Sequence, residues 1–158
     1  MKKAVIFDMY ETLITLWNSK TYMGRELSED IGISESKFRE IWDLTEDERT
    51  LGSKTLEEVL EQVLRVNNRY SVELHQNLVK KRIASKVEAF EHMHPDIIPM
   101  LQGLKDKNIK IGLITNCFNE ERDAMLQSKF YVCPVCGNVI YSMGETMELE
   151  KIADKLFG

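Results

Sequence analysis

Polar residues follow two short apolar runs of this sequence, in positions where a protein can carry out chemistry. Asp8 comes directly after the apolar residues 4–7. The second run starts at Ile109 and ends at Thr115, and Asn116 follows it. A carboxylate can act as a nucleophile or metal ligand, and a hydroxyl beside a free backbone N–H can hold an anion. If both runs are parallel strands, these residues lie at the carboxyl edge of the sheet, where open α/β sheets bind ligands. Taken alone, each residue is better explained by an ordinary turn or cap.

A second candidate site is the pair Cys133 and Cys136, which are separated by two residues and followed by Gly137. Two thiolates at this spacing can bind one metal ion, and the glycine lets the backbone turn towards the sulfur atoms. A tetrahedral zinc site needs a further pair of ligands, and the one other cysteine is Cys117. Two chains that each contribute Cys133 and Cys136 would complete a Zn²⁺ site, so a homodimer is one alternative. A pair of reduced thiols without metal is the other.

The elements that would position Asp8 and Thr115 are two short buried strands with helices between them. Residues 3–7 and 109–115 are rich in apolar, β-favouring residues, which is typical of buried parallel strands. Between them, apolar residues recur at helical spacing, most regularly in residues 56–64, where Thr55 and Glu58 suit a capping box. Further helices are predicted around residues 38–42, over 74–90, over 97–104 with Asp96 as the cap, after Asn119, and over 145–157. This order predicts an α/β fold with a parallel sheet.

Composition and charge narrow the class of protein. The chain has 158 residues, of which 43% are hydrophobic and 30% charged, as in a soluble globular protein. Its net charge of −5 and its lack of a dense Lys/Arg run argue against a nucleic-acid partner. No apolar stretch approaches the roughly 20 residues that cross a bilayer, and the first residues do not resemble a signal peptide. With an odd number of cysteines, these features predict a cytoplasmic protein without a membrane partner.

The two strand-end motifs resemble those of the haloacid dehalogenase (HAD) superfamily of hydrolases. Phe7-Asp8-Met9-Tyr10-Glu11-Thr12-Leu13 is similar to its first motif, a hydrophobic residue and Asp followed three residues later by Thr-Leu. Leu113-Ile114-Thr115-Asn116 is similar to its second motif, a Ser or Thr at the tip of the next core strand. The helical stretch between them matches the helical cap that the family inserts after its first motif. The resemblance covers residues 1 to about 128.

The resemblance implies a phosphatase-type hydrolase that acts on a small phosphorylated substrate through an aspartyl intermediate. Asp8 would be the nucleophile, and Thr12 would fix its loop. Thr115 and the backbone N–H of Asn116 would hold the transferred group. In phosphatases of the family, Mg²⁺ bridges the nucleophile and the phosphoryl oxygen, so Asp8 is also the predicted magnesium ligand. The expected partner is a small-molecule substrate.

The sequence departs from the family at Tyr10 and after Thr115. Most phosphatases of the family carry a second Asp at the position of Tyr10 as general acid and base, whereas its haloacid dehalogenases carry Tyr there. Glu11 is acidic but is displaced by one residue. The third motif is a Lys, usually before Pro, and the fourth is an acidic pair at a later strand end; neither is recognisable here. Whether the protein is an enzyme is therefore open, and the alternatives are a dehalogenase-type hydrolase and a non-catalytic metal- or partner-binding protein.

Together these features predict an α/β fold with a HAD-like, Rossmann-type parallel core sheet that is incomplete and carries an inserted helical cap. Residues 1–13 and 91–128 are expected to form the core, and residues 14–90 the cap. Residues 129–158 are expected to contain the cysteine pair, which resembles half of a rubredoxin-like or zinc-ribbon module, and a C-terminal helix.

Overall fold

A single parallel sheet forms the base of the structure. The computed structural model describes residues 4–127 and 140–142, and the three strands in these ranges pair in the order β1-β2-β3. The strands are β1 (Ala4–Phe7), β2 (Lys110–Thr115) and β3 (Ile140–Ser142). The described part of the chain therefore confirms the α/β class and the parallel sheet. The Rossmann type and the incompleteness of the core stay predictions.

Helices make up most of the described residues, and all but the last of them lie between β1 and β2. They are α1 (Gly24–Ile31), α2 (Glu35–Trp42), α3 (Glu46–Thr50), α4 (Leu56–Val66), α5 (Val72–Glu91), α6 (Ile97–Asp106) and α7 (Asn119–Gln127). Short 3₁₀ turns occur at Leu16–Asn18 and Asp43–Thr45. None of the described helices is both long and apolar enough to cross a bilayer.

The sequence predicts capping residues for α4 and α6, and the structure shows the hydrogen bonds at the start of each helix. Before α4, the Thr55 hydroxyl accepts a hydrogen bond from the Glu58 N–H, and the Glu58 carboxylate accepts one from the Thr55 N–H. The predicted capping box is therefore confirmed. Before α6, the side chain of Asp96 makes no capping hydrogen bond and its backbone is already helical, so the prediction that Asp96 caps this helix is wrong.

Two separate apolar clusters hold the described residues together. One lies against the sheet and contains Met9, Leu13, Ile14, Ala89, Phe90, Leu101, Leu113, Ala124 and Met125. The other is made by helices and contains Leu27, Ile31, Phe38, Leu56, Val59, Leu60, Val63, Leu64 and Leu78. The helices between β1 and β2 thus pack largely on one another rather than on the sheet. The domain boundaries at residues 13 and 90 remain predictions.

Helix α5 joins the two clusters. Leu78 in its first half belongs to the helical cluster, whereas Ala89 and Phe90 at its end belong to the cluster against the sheet. The same helix packs against α7, which follows β2. Because α7 begins just after the loop that leaves β2, this packing brings helical residues up to the carboxyl edge of the sheet.

Candidate active site

Asp8 and Thr115 lie at the same edge of the sheet, at the ends of neighbouring parallel strands. β1 and β2 pair with Phe7 beside Leu113, so Asp8 follows the last pair by one residue and Thr115 by two. Asp8 is exposed, and one of its carboxylate oxygens accepts a hydrogen bond of 2.8 Å from the Met9 N–H. Thr115 is buried and Asn116 is exposed. The structure therefore brings the predicted nucleophile and the predicted anion-holding loop to one place.

A tight turn anchors the loop that follows Asp8. The Met9 carbonyl accepts hydrogen bonds of 2.9 Å from the Leu13 N–H and 3.1 Å from the Ile14 N–H. All three side chains are buried in the cluster against the sheet. Asp8 is thus attached to the core through the residue next to it, while Thr12 is exposed on the turn. The role of Thr12 in fixing the loop remains a prediction.

Glu11 does not replace the missing second acid. Its backbone has a φ of 55°, in the left-handed region that non-glycine residues seldom occupy. Its carboxylate accepts hydrogen bonds of 2.7 Å from the Thr15 hydroxyl and 3.0 Å from the Leu16 N–H. The carboxylate is therefore engaged within its own loop, by Thr15 and Leu16.

Tyr10 points into protein rather than solvent. It is half-buried, and the Lys86 ammonium lies 5.5 Å from the centroid of its ring. Burial, with a further contribution from Glu121, raises the pKa of the Tyr10 hydroxyl far above its usual value. Tyr10 is consequently neutral at ordinary pH and cannot serve as the general base that an Asp at this position would provide.

Five buried charged side chains of α3, α5 and α7 lie close enough to influence one another's charge. This buried charge cluster consists of Arg49, Arg82, Lys86, Glu120 and Glu121. Lys86 Nζ lies 2.5 Å from Glu121 Oε1, and Arg82 Nη2 lies 3.9 Å from the same oxygen. Glu121 Oε2 also accepts a hydrogen bond of 3.1 Å from the Phe118 N–H. Glu121 therefore connects cations of α5 to the loop that carries Thr115 and Asn116.

Arg49 is held between two aromatic rings. Its guanidinium carbon lies 3.9 Å from the Trp42 ring centroid and 4.3 Å from that of Phe118, a geometry of favourable cation–π contact. Its Nη2 donates a hydrogen bond of 2.9 Å to the Trp42 carbonyl. Beside it, Gly52 has a φ of 73°, and a Cβ there would lie 3.4 Å from the Asn119 amide. Residues that follow β1 and residues that follow β2 are thus in close contact here.

Comparison with known proteins agrees with these motifs. The sequence model of the haloacid dehalogenase-like hydrolases matches residues 2–131, which is most of the chain. The chain belongs to this family. Neither the comparison with curated proteins nor that with solved structures finds a match. The family match and the paired strand ends together show a HAD-like hydrolase.

The buried charges of this HAD-like hydrolase are strongly influenced by their surroundings. Burial lowers the pKa of the Lys86 ammonium, and the neighbouring Arg82 lowers it further, while Glu121 opposes both effects. Burial raises the pKa of the Glu120 carboxyl. Burial also raises the pKa of the Cys117 thiol to about 11, so Cys117 is protonated at neutral pH and is no candidate nucleophile.

The described residues of this HAD-like hydrolase supply only part of the ligand set of a magnesium site. Asp8 offers an exposed carboxylate at the sheet edge, but no group of three or more His, Cys, Asp or Glu side chains within residues 4–127 could hold a metal ion. Protein magnesium sites combine carboxylates with substrate phosphate oxygens and waters. The residues described do not make such a site by themselves, and Asp8 as a magnesium ligand stays a prediction.

Sequence reasoning missed the buried charge cluster of this HAD-like hydrolase, although the sequence contained a sign of it. The apolar spacing of α5 is irregular because Arg82 and Lys86 occupy the face that also buries Leu78 and Phe90. Cations in register with core residues are unusual in a solvated helix and indicate a buried polar interface. The predicted zinc ligands, Cys133 and Cys136, lie outside the described residues, so the metal and homodimer predictions stay predictions.

Proposed function

We propose that this HAD-like hydrolase is a phosphatase-type enzyme that acts on small phosphate monoesters through Asp8. The observation that carries the proposal is the pairing of β1 with β2, which sets an exposed Asp8 and the loop of Thr115 and Asn116 at one edge of the sheet. A carboxylate nucleophile beside a hydroxyl and a backbone N–H is a combination suited to the transfer of an anionic group.

The reaction would proceed by two displacements. A carboxylate oxygen of Asp8 attacks phosphorus, the ester P–O bond breaks, and the alcohol departs as its oxyanion. Water then attacks the aspartyl phosphate, which releases inorganic phosphate and restores the Asp8 carboxylate. The Met9 N–H, which donates to one carboxylate oxygen, orients the group and leaves the other oxygen available for attack. The Thr115 hydroxyl and the Asn116 N–H would hold the phosphoryl oxygens as negative charge develops.

The nature of Tyr10 and Glu11 restricts which esters this reaction can use. A neutral Tyr10 of raised pKa is a poor proton donor, and the carboxylate of Glu11 is engaged with Thr15 and Leu16. The described residues near Asp8 thus offer little general-acid help to the departing oxygen. We therefore expect aryl phosphates, whose leaving groups need no proton, to be hydrolysed faster than alkyl phosphates.

The test is hydrolysis of 4-nitrophenyl phosphate by the full chain, with and without Mg²⁺. An Asp8→Asn variant purified in the same way is the control for contaminating phosphatases, because it removes the nucleophile with little change in shape. Turnover that is lost in the variant supports the proposal. Equal turnover in both proteins, or none in either, is inconsistent with it.

A second candidate is dehalogenation of a small haloacid, and Tyr10 is the observation that favours it. The Asp8 carboxylate would attack the carbon that bears the halogen, forming an ester as the carbon–halogen bond breaks and halide leaves, and water would then hydrolyse the ester to release the 2-hydroxy acid. Departure of halide needs neither a proton nor a metal, so this reaction does not require an acid at position 10. The test is release of chloride from 2-chloropropionate by the wild-type chain beside Asp8→Asn. Chloride release that depends on Asp8, without phosphate ester hydrolysis, would replace the first proposal by this one.

A further inference from the structure

Helix α5, the longest of the described helices, carries an apolar groove on its exposed side. The groove has a volume of about 790 Å³, and its apolar lining comes from Val79, Ile83, Ala84 and Val87. Ala84 is exposed, while the other three side chains are half-buried, because their inner sides pack against the two apolar clusters. A continuous apolar surface of this kind on a soluble protein marks an interaction site.

The charged side chains along the groove are separated by sign. Lys80 lies eleven residues before Glu91, which places the two on one stripe of the helix, three turns or about 16.5 Å apart. Both are exposed, and neither forms an ion pair with another residue that the structure describes. Glu88 adds a second negative charge beside Glu91, whereas Glu57 lines the far end of the groove, next to His75. The span from Lys80 to Glu91 therefore has one positive and one negative end.

We propose that a second copy of the chain occupies this groove, with the two α5 helices packed antiparallel about a twofold axis. The axis passes midway between Lys80 and Glu91, so Lys80 of each copy meets Glu91 of the other. The same operation places Ala84 of each copy opposite Val87 of the other, which covers the apolar stripe from both sides. A twofold interface of this kind uses one self-complementary patch on both copies. The inference is independent of the proposed function.

The charge pattern favours a second copy over an unrelated partner. An acidic or a basic protein surface would match one end of the span and be repelled by the other, whereas an antiparallel copy matches both ends. A parallel copy would place Lys80 beside Lys80 and Glu91 beside Glu91, so the antiparallel orientation is the complementary one. Ala84 has a small side chain near the axis, which lets the two helices approach to the roughly 8–10 Å of packed helix pairs.

The first test is sedimentation equilibrium of the full chain at roughly 1–100 µM, a range that detects dimers of micromolar affinity. A reductant and a chelator are present throughout, so neither a disulfide nor a zinc ion shared by Cys133 and Cys136 contributes to association. We expect a species of twice the 18.4 kDa mass of the chain, in a proportion that rises with concentration. A chain that stays monomeric at the highest concentration would overturn the proposal.

Charge reversal then assigns the dimer to this face. Lys80→Glu should weaken dimerisation at least about tenfold, because it brings carboxylates together at two symmetric places. Adding Glu91→Lys to the same chain restores opposite charges and should return the dissociation constant to within about threefold of the wild type. Lys37→Glu, which reverses an exposed cation of α2, is the matched control and should leave the dimer unchanged. Circular dichroism verifies folding; a dimer unaffected by Lys80→Glu, or not restored in the double variant, would overturn the assignment.

Discussion

Lys86 Nζ lies 2.5 Å from Glu121 Oε1, and the two side chains are 4% and 9% exposed. Lys86 belongs to α5, in the long helical stretch after Asp8, and Glu121 belongs to α7, just after the loop that carries Thr115 and Asn116. Buried ion pairs of this kind contribute little net stability compared with apolar packing, but they are costly to break. The pair therefore fixes the position of the helices relative to the sheet edge more than it adds to stability.

Removal of one partner of this pair should destabilise the fold. Lys86→Met keeps the length of the side chain but leaves Glu121 buried without its nearest cation, so the free energy of unfolding should fall by about 3–5 kcal/mol. Urea unfolding followed by circular dichroism measures it. Arg65→Met, which removes an exposed pair with Glu61 and a contact with the Tyr70 ring, is the control and should cost no more than about 1 kcal/mol. A loss in Lys86→Met as small as that of the control would contradict the assigned burial.

Glu120 should make the stability of the wild type depend on pH. Burial raises the folded-state pKa of this carboxyl above its ordinary 4.5, so its contribution is fully present below pH 4.5 and is lost as pH rises through the folded pKa. In the Glu120→Gln variant the side chain cannot ionise, so the variant does not lose this free energy of unfolding as pH rises. The free energy of unfolding of the variant, minus that of the wild type, should increase from pH 4.5 towards neutrality. Urea titrations across this range measure the difference, with exposed Glu40→Gln as the control; a difference that stays constant or shrinks would refute the prediction.

Tyr10 should act by packing rather than by proton transfer. Because its hydroxyl stays neutral, Tyr10→Phe should keep kcat for 4-nitrophenyl phosphate within about threefold and leave the pH profile unchanged. Steady-state kinetics from mildly acidic to mildly alkaline pH provide the measurement. A fall in kcat of about a hundredfold, or the disappearance of one limb of the profile, would show that the hydroxyl takes part in acid–base chemistry.

The hydroxyl of Thr115 should contribute to kcat. Thr115→Val keeps the buried shape of the side chain but removes the donor, so kcat should fall by about 10²–10³ with little change in stability. Thr115→Ser keeps the hydroxyl and should stay within about fivefold of the wild type. Kinetics and thermal unfolding of both variants, side by side, provide the test. Equal activity of the Val and Ser variants would exclude a role for the hydroxyl.

Much of the fold could be predicted because its signs are local. The two apolar runs predicted strands at residues 3–7 and 109–115, and each observed strand begins one residue later and ends at the same residue. The Thr55 and Glu58 pair correctly predicted the start of α4. The prediction that Asp96 caps α6 was wrong because Asp is a common capping residue, but here it precedes the helix with its own backbone already helical and its side chain makes no capping hydrogen bond. Local patterns indicate where elements occur, but they do not determine which hydrogen bonds form.

The buried charge cluster could not be predicted in the same way because its members are distant in sequence. Arg49, Lys86 and Glu121 come from three different helices, and each alone is typical of a solvated surface. Only the packing of α5 on α7 shows that Lys86 and Glu121 form a buried ion pair. Asp8 and Thr115 are also distant in sequence, but their motifs and the carboxyl edge of a parallel sheet gave a reason to expect them together.

The central claim is that Asp8 is the nucleophile, and chemical trapping tests it most directly. The wild-type chain would be mixed with excess 4-nitrophenyl phosphate, treated with borohydride, digested and analysed by mass spectrometry. An aspartyl phosphate is an acyl phosphate, and its reduction converts the residue to homoserine. We predict homoserine in place of Asp8 in the peptide that contains Met9 and Tyr10, and no such change in protein that has not met substrate. Turnover that proceeds while Asp8 remains unmodified would contradict the account.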